Sequence, residues 1–247
     1  MRFDLVTIFP AFFDSPLAHG VVARARAAGR LEIAVHNLRD WAPGPHHITD
    51  DRPFGGGEGM VMKPEPIFAC LGALLGAPPG VQPPASRTRV CLLSAQGRAF
   101  RQSDARAFAA LDRLILICGR YEGVDERVAA HWVDEEISIG DFILSGGELA
   151  AAVVLDAVAR LVPGVLGHEQ SAVNESFSSP LTLDCPHYTR PLEFEGCAVP
   201  AVLRGGDHAA IARWRRGQAL LKTRRLRPDL FAQLELSPQD RAFLSEN

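Results

Sequence analysis

The sequence predicts an α/β protein built on a parallel sheet, followed by a small all-α domain. Short apolar, β-prone runs alternate with helical stretches through the first two thirds of the 247 residues, a pattern typical of parallel sheets. Several of these runs lead directly into glycine-rich loops. Near the C-terminus, eight Arg and Lys residues between positions 204 and 227 accompany a single acid, Asp207.

The first strands follow from local pattern. Phe3–Phe9 and Leu31–Leu38 are short apolar runs, and a helical stretch ending near Gly29 separates them. A strand, a helix and a strand predict a parallel α/β unit.

Three later strands end in glycine loops. Arg89–Ser94 runs into the turn AQGR, Leu114–Gly119 runs into RYEGVDERV, and Ile137–Glu148 has the form ISIGDFILSGGE. In open α/β sheets ligands bind outside the carboxyl ends of the strands, and glycine lets the backbone approach a ligand closely. Each loop alone is also typical of a tight turn, but three within 60 residues predict one ligand site.

Helix signals set the domain boundaries. The sequence Ser145-Gly146-Gly147-Glu148 predicts a capping box before an apolar, buried helix, which Pro163-Gly164 ends. Residues from Val165 to about Pro200 lack sustained periodicity, as a loop or linker would. Asp207 and Ser237 are the expected starts of later helices. We therefore expect a first domain over 1–164, a linker over 165–180 and a basic helical domain over 181–247.

Composition excludes several classes of protein. The chain is 47% hydrophobic and 22% charged, as in folded globular proteins. No apolar run approaches the roughly 20 residues needed to cross a bilayer. The five cysteines are odd in number and form no C-x-x-C, which argues against a disulfide framework and a thiolate zinc site. We expect a reduced, cytoplasmic protein without a membrane segment or a protein-bound structural metal.

Familiar nucleotide and metal motifs are also absent. The chain has no G-x-x-x-x-G-K-[ST], and the glycines of Gly55–Gly59 lack the G-x-G-x-x-G spacing. No second histidine follows His168-Glu169 at the zincin spacing. Rossmann dehydrogenases and metal hydrolases are therefore disfavoured.

Six segments resemble, in order, the motifs of bacterial tRNA (guanine-N1-)-methyltransferases of the SPOUT class. They are Asp50–Met62, Leu92–Arg98, Cys118–Val128, Ser138–Glu148, Arg160–Phe177 and Leu183–Pro191. CGRYEG…DER and SIGD…LSGGE are long and specific, and with the basic tail the resemblance covers nearly the whole chain. It implies a deep trefoil knot in the first domain, a homodimer, S-adenosylmethionine bound in the knot, and Mg²⁺ as a further cofactor to which Glu122 and Glu175 contribute.

The resemblance also implies the binding residues. The cofactor positions fall on Leu92, Leu93, Ser94, Gly119, Tyr121, Glu122, Gly123, Ser138, Ile139, Gly140, Leu144, Gly146 and Gly147. The implied substrate is the tRNA anticodon stem-loop, held by Asp50, Arg52, Gly55, Gly56 and Gly57 and, in the basic tail, by Arg213, Arg215, Arg216, Lys222, Arg224 and Arg225. An ion pair with Asp50 or Asp51 is the alternative role for Arg52, a solvated helix face is the alternative for any single tail arginine, and Trp214 is expected in the core rather than under a base.

The implied reaction methylates N1 of guanosine 37 when a guanosine precedes it, giving 1-methylguanosine and helping to maintain the reading frame. N1 carries a proton in the neutral base, so a general base must remove it while a donor offsets charge at O6. By resemblance these residues are Glu175 and Arg160. The family's usual base is Asp, whose pKa is close to that of Glu, about 3.9 against 4.3. The alternatives are a solvated loop glutamate, and an arginine set against a helix dipole.

Two further departures lie outside the chemistry: Ala95 and Glu58 stand where Pro is common in the family. Two other functions stay open. One is an RNA-binding protein that has lost catalysis through the change at Glu175. The other is a knotted methyltransferase that acts on ribose or ribosomal RNA, although it gives no reason for DDRPFGGG or the basic tail.

Overall fold

The computed structural model describes residues 1–76, 78, 87–167, 175–178 and 182–247. The chain divides into two compact units, Met1–Gly167 and His168–Asn247. Residues 168–174, 179 and 180 of the expected linker lie outside the described residues.

The first unit is an α/β domain. Its strands are β1 (Arg2–Thr7), β2 (Glu32–Asn37), β3 (Asp50–Asp51), β4 (Val61–Met62), β5 (Thr88–Ala99), β6 (Arg113–Cys118) and β7 (Glu135–Ser138). Its helices are α1 (Asp14–Ala18), α2 (Gly20–Ala27), α3 (Pro64–Leu75), α4 (Gln102–Ala109), α5 (Glu126–Trp132) and α6 (Glu148–Ala159). Five strands form one sheet in the order β2-β1-β6-β5-β7, and all neighbours are parallel. The predicted parallel sheet is confirmed.

Side chains alternate between the two faces of this sheet, as the period of a strand requires. In β1, Phe3 and Leu5 join the core cluster that contains α6, and Val6 joins the cluster that contains α3 and α5. Because helices cover both faces, β1 and β6 each bury five consecutive residues. This double burial explains why the strands are continuous apolar runs.

Strand β5 differs from its expected end at Ser94. It continues to Ala99, and its register against β7 shifts between Leu93 and Arg98. A Cβ at Gly97 would collide with the backbone of Ile137. The expected turn AQGR is therefore part of an irregular strand held against β7.

The predicted capping box before α6 is wrong. The helix begins at Glu148, its N-cap is Gly147, and no side chain caps it. The Glu148 carboxylate instead accepts hydrogen bonds from Thr7 and Arg120. Because the Glu148 carboxylate binds Thr7 and Arg120, it is not available for the local capping box.

A buried charge cluster joins three strands of the sheet at Asp4. The Asp4 side chain has no exposed surface and contacts Arg2 at 3.0 Å, His36 at 2.7 Å and Arg113 at 2.6 Å. Burial alone would raise the pKa of this carboxyl, but the hydrogen bonds from His36, Arg2 and Arg113 outweigh it and hold the pKa far below its usual value.

The second unit is mainly helical. It contains β8 (Glu193–Phe194), β9 (Cys197–Ala198), α7 (His208–Leu226), α8 (Pro228–Phe231) and α9 (Pro238–Glu246). The antiparallel β8–β9 hairpin corrects the expectation of an all-α domain. Glu195 and Gly196 both have positive φ, 50° and 76°, as a two-residue type I′ turn requires.

Local caps define the helices of this unit. Asp207 accepts from the backbone N–H groups of Ala209 and Ala210, and Ser237 forms a capping box with Asp240. Both expected helix starts are confirmed. All five cysteines of the chain are unpaired. Among the described residues, no helix has both the length and the apolar character that a membrane span demands.

Candidate active site

A cavity of about 410 Å³ lies at the carboxyl ends of β6 and β7 and beside the irregular part of β5. Residues that follow β6 and β7 line it together with Leu92–Gln96 of β5, so the structure brings parts of the three predicted segments together. The cavity falls within the size range of small-molecule sites, roughly 300–1,000 Å³. Every predicted cofactor position lines it: Leu92, Leu93, Ser94, Gly119, Tyr121, Glu122, Gly123, Ser138, Ile139, Gly140, Leu144, Gly146 and Gly147.

Two of these loops meet backbone to backbone. The Gly147 N–H donates to the Gly119 carbonyl at 2.8 Å, and a β-bridge joins Arg120 to Gly146. A Cβ at Gly147 would lie 2.8 Å from the Cα of Cys118, and one at Gly146 would collide with the Arg120 guanidinium. A side chain at either position would therefore force Arg120 or the Cys118 backbone to move.

Arg120 organises this junction, although the sequence pattern assigned it no role. Its Nε donates to Glu148 Oε2 at 2.9 Å, and its Nη1 donates to the Ser145 carbonyl at 3.1 Å. The guanidinium also lies 4.5 Å from the centroid of the Phe9 ring, a distance typical of cation–π contacts. Since Glu148 is only 1% exposed, its charge explains why an arginine is needed here.

The β3–β4 hairpin is fastened to the rim of the cavity. The Met62 N–H donates to Gly123 at 2.9 Å, and the Glu122 N–H donates to Met60 at 3.0 Å. Val61, which also forms a β-bridge with Tyr121, lines the cavity itself. The predicted substrate hairpin is therefore hydrogen-bonded to the predicted cofactor loop that follows β6.

Tyr121 has a strained backbone at this rim. Its φ is +62°, which is uncommon for a residue with a bulky side chain. Burial and then the nearby Asp50 carboxylate raise the pKa of its phenol. Such strain is often kept at functional sites.

The predicted substrate residues of the hairpin lie around its tip. Gly55, Gly56 and Gly57 have φ values of 86°, 77° and 125°. Arg52 is exposed, and its N–H donates to Asp51 Oδ1 at 2.7 Å. Within the part of the chain that the structure describes, the Arg52 guanidinium forms no ion pair, so the ion-pair alternative gains no support.

The two predicted catalytic residues lie in different units. Arg160 is half-buried at the C-cap of α6, where the alternative interpretation as a helix-dipole partner also places it. Glu175 belongs to the second unit. Its backbone N–H donates to Ser178 Oγ at 2.9 Å. Their roles remain predictions.

The basic residues of the tail lie on α7. Arg213, Arg215, Arg224 and Arg225 are exposed, and Lys222 is half-buried. Arg216 differs, since it forms two hydrogen bonds of 3.1 Å with the buried Asp240 of α9. Trp214 is half-buried and contacts the Tyr188 ring, with centroids 6.3 Å apart.

One cluster of potential metal ligands occurs among the described residues, at Asp184, Cys185 and His187. His187 Nε2 lies 2.8 Å from Asp184 Oδ2, and the Cys185 N–H donates to Asp184 Oδ1 at 2.7 Å. These bonds account for the arrangement, since they use both oxygens of the carboxylate.

Fold and cavity together define an α/β protein with a glycine-lined ligand site at the carboxyl edge of a parallel sheet. Residues 1–233 match the family described as tRNA (Guanine-1)-methyltransferase TrmD. The chain belongs to this family, which confirms the resemblance seen in its motifs.

Three relatives that match nearly their whole length carry a name that agrees with this family. A protein of Koribacter versatilis (strain Ellin345) is 52% identical over all of this chain and 98% of its own length. Proteins of Geotalea uraniireducens (strain Rf4) and Geobacter sulfurreducens are 52% and 51% identical, over 100% and 99% of this chain and 96% and 97% of their own lengths. Each is named tRNA (guanine-N(1)-)-methyltransferase.

Proposed function

We propose that this protein transfers a methyl group from S-adenosylmethionine to N1 of guanosine 37 in tRNA when a guanosine precedes it. The observation that carries the proposal is the convergence, on one cavity, of all thirteen residues at the family's cofactor positions. The family match over residues 1–233 supports the same reaction.

The cavity suits an adenosine-containing ligand. Leu92 and Leu93 supply apolar wall, and the Arg120 side chain beside Gly146 and the Cys118 backbone beside Gly147 leave little room for side chains at these two positions. Main-chain donors and acceptors can then reach the polar edges of a base. S-adenosylmethionine, when bound, supplies an electrophilic methyl group on a sulfonium.

The chain itself must manage the proton. Glu175 is the proposed general base that removes hydrogen from N1, and Arg160 is the proposed donor to the charge that grows at O6. A glutamate has the proton affinity that the family's aspartate would have, roughly within half a pKa unit in reference peptides. The side chain of Glu175 is one methylene longer than that of the family's aspartate, and the surrounding loop must accommodate this extra length.

The tRNA contacts divide into two groups. Asp50, Arg52 and Gly55–Gly57 are proposed to hold the target base or its loop, because acting on a base edge requires taking the base out of its stack. Arg213, Arg215, Lys222, Arg224 and Arg225 are proposed to meet phosphates, which position RNA without reading its sequence. Arg216 is a further candidate for phosphate contact, although Asp240 already pairs with it.

A homodimer is part of the proposal. Leu149 and Val153, one turn apart on α6, are 52% and 49% exposed, and Phe142 and Ile143 of the preceding loop are 53% and 82% exposed. Exposed apolar groups of this kind often mark protein interfaces. A second copy of the chain is the proposed partner.

The proposal also includes the trefoil knot, Mg²⁺ as a further cofactor and a cytoplasmic location. We propose the deep trefoil knot that the family resemblance implies, with the hydrogen bond from Gly147 N–H to the Gly119 carbonyl as a contact between two of its loops. Mg²⁺ would draw oxygen ligands from Glu122, which lines the cavity, and from Glu175. We expect the reaction in the cytoplasm, where its tRNA substrate is found.

Mass spectrometry of nucleosides tests the function directly. Purified protein, S-adenosylmethionine and an unmodified tRNA carrying G36 and G37 should yield 1-methylguanosine, and a transcript with A37 should yield none. A methyl group on a ribose oxygen would instead identify a ribose methyltransferase. Retention of tRNA binding with no methylated product would identify an RNA-binding protein without catalysis.

A further inference from the structure

Phe54 stands out at the tip of the β3–β4 hairpin. Its relative exposure is 102%, the highest among the exposed large hydrophobic residues of the described chain. An aromatic ring left wholly in water contributes nothing to folding, because it buries no apolar area. Its full exposure leaves the whole ring available to a partner outside the folded unit.

The backbone around Phe54 presents the ring outward. Arg52 and Pro53 precede it, and Gly55, Gly56 and Gly57 follow with positive φ. A Cβ at Gly55 or Gly56 would meet nothing within 4 Å, so no other side chain competes for the space beside the ring.

The hairpin that carries Phe54 is attached to the cavity. Its β4 strand is hydrogen-bonded to the cavity rim through Met62 and Gly123, and Val61 lines the cavity. Phe54 lies seven residues before Val61 on a two-stranded hairpin paired from Asp50 to Met62. The loop that carries Phe54 is therefore anchored at the rim of the cavity through β4.

We propose that Phe54 stacks on the anticodon-loop base beside the target guanosine and fills the gap left when that guanosine leaves the stack. This inference rests on the proposed function. When one base leaves the stack, the neighbouring base loses its stacking partner on that side. An aromatic side chain can stack on the exposed face whichever base is present. The adjacent Arg52 adds a cation that can contact a phosphate.

A second copy of the chain is the competing partner. Apolar protein interfaces use contiguous patches, whereas the residues next to Phe54 in the chain are Arg, Pro and glycines. A single ring among glycines suits a flat base better than it suits a protein surface.

The test compares Phe54→Ala, Phe54→Leu and Phe54→Trp in the full-length protein. Ile48→Ala is the matched control, because Ile48 is also exposed, at 53%, and lies outside the hairpin. Methyl transfer to the G36–G37 transcript should fall in Phe54→Ala by about tenfold or more in kcat/KM, as expected for one lost base stack. Phe54→Trp should stay within about threefold of the unchanged protein, and Phe54→Leu should fall nearly as far as Phe54→Ala, because leucine has no π face.

A fluorescence signal separates stacking from a structural defect. A transcript with 2-aminopurine at position 37 should brighten when the base leaves the stack on binding. Phe54→Ala should reduce this increase at saturating protein, while the Kd for S-adenosylmethionine and the Tm stay unchanged.

The inference is overturned if Phe54→Ala keeps kcat/KM and the fluorescence increase within about twofold, or if its main effect is a change from dimer to monomer. If the unchanged protein forms no 1-methylguanosine, the proposed function fails instead, and the 2-aminopurine signal still decides whether Phe54 contacts the RNA.

Discussion

The Arg120 guanidinium and the Glu148 carboxylate form an ion pair at 2.9 Å that ties together two loops of the cavity. Glu148 uses both oxygens, since Oε1 accepts from Thr7 at 2.7 Å and Oε2 accepts from Arg120. The pair thus links β1, the loop after β6 and the first residue of α6. Cavity geometry therefore depends on a charge that the cofactor need not touch.

Glu148→Gln should loosen this junction. The amide keeps the shape but removes the charge, so one bond weakens and Arg120 loses its counter-ion. We expect the free energy of unfolding to fall by about 2 kcal/mol and the affinity for S-adenosylmethionine to fall with it. Urea denaturation and isothermal titration calorimetry measure the two effects. The control is Glu32→Gln, because Glu32 is 68% exposed in its pair with Arg2 and should cost under about 1 kcal/mol. Equal losses in the two variants would contradict the special role of Glu148.

Gly147→Ala should disturb the same junction sterically. Gly147 has φ −77°, which alanine adopts easily, so the obstacle is steric: the added Cβ would lie 2.8 Å from Cys118 Cα and 3.0 Å from the Gly119 nitrogen. Overpacking of this kind costs about 1–3 kcal/mol, and cofactor affinity should drop because the Gly119 loop must move. Thermal unfolding and cofactor titration test it. Gly205→Ala is the control, since its added Cβ would make only ordinary contacts at 4.0 Å; a milder effect at Gly147 than at Gly205 would refute the steric argument.

Asp4 should govern stability in acid. Because the folded-state pKa lies far below the unfolded value of about 3.9, its contribution is complete above about pH 4 and is lost as the pH falls below it. Asp4→Asn should lower the free energy of unfolding by about 3 kcal/mol at pH 7 and by much less near pH 2. Urea denaturation at several pH values gives both numbers. A deficit in Asp4→Asn that stays constant down to pH 2 would exclude this explanation.

Glu175→Gln should abolish 1-methylguanosine formation while S-adenosylmethionine binding stays nearly intact. A general base contributes about 100-fold or more, so single-turnover rates should fall at least that far, and Glu175→Asp should restore most of the rate. The control is Glu193→Gln on the exposed β8 strand. Substantial activity in Glu175→Gln would remove this residue as the base.

Arg160→Ala extends the same comparison. Its catalytic rate should fall far more than its cofactor affinity, since the proposed contact forms with charge at O6 in the transition state. Equal losses in rate and cofactor affinity would point to a structural role at the end of α6.

Arg215 and Arg216 should separate RNA binding from folding. Arg215→Ala should raise the KM for tRNA and lower the slope of log affinity against log salt by about 1, with an unchanged Tm. Arg216→Ala should instead lower the Tm, because Asp240 loses the hydrogen bonds that hold its pKa down. Filter binding at several salt concentrations and thermal unfolding test the pair. Identical behaviour of the two variants would show that the ion pair does not distinguish them.

Local pattern predicted the strands and several helix starts well. Phe3–Phe9 and Leu114–Gly119 proved to be strands within two residues of each end, because continuous apolar runs satisfy only a sheet covered on both faces. Asp207 and Ser237 proved to be helix caps, since a cap needs only its own neighbours. The loops that follow β6 and β7 were also expected at one edge, because parallel strands share a direction.

Predictions failed where distant residues competed with local ones. Glu148 left its expected capping box for Thr7, 141 residues away in the chain. The strand expected to end at Ser94 continues because β7 offers it a partner, and the pairing of Arg216 with Asp240 was not predicted. No window of sequence contains both members of these pairs.

The sequence by itself determined the parallel α/β class, the family and the identity of the residues at the cavity, because these depend on periodicity and on the order of motifs along the chain. Only the tertiary structure decided that Arg120 holds Glu148, that Gly147 meets Gly119, and that Phe54 is left fully in water. These relationships arise when side chains far apart in sequence compete for the same buried charge or the same space, and that competition takes place only in the folded chain.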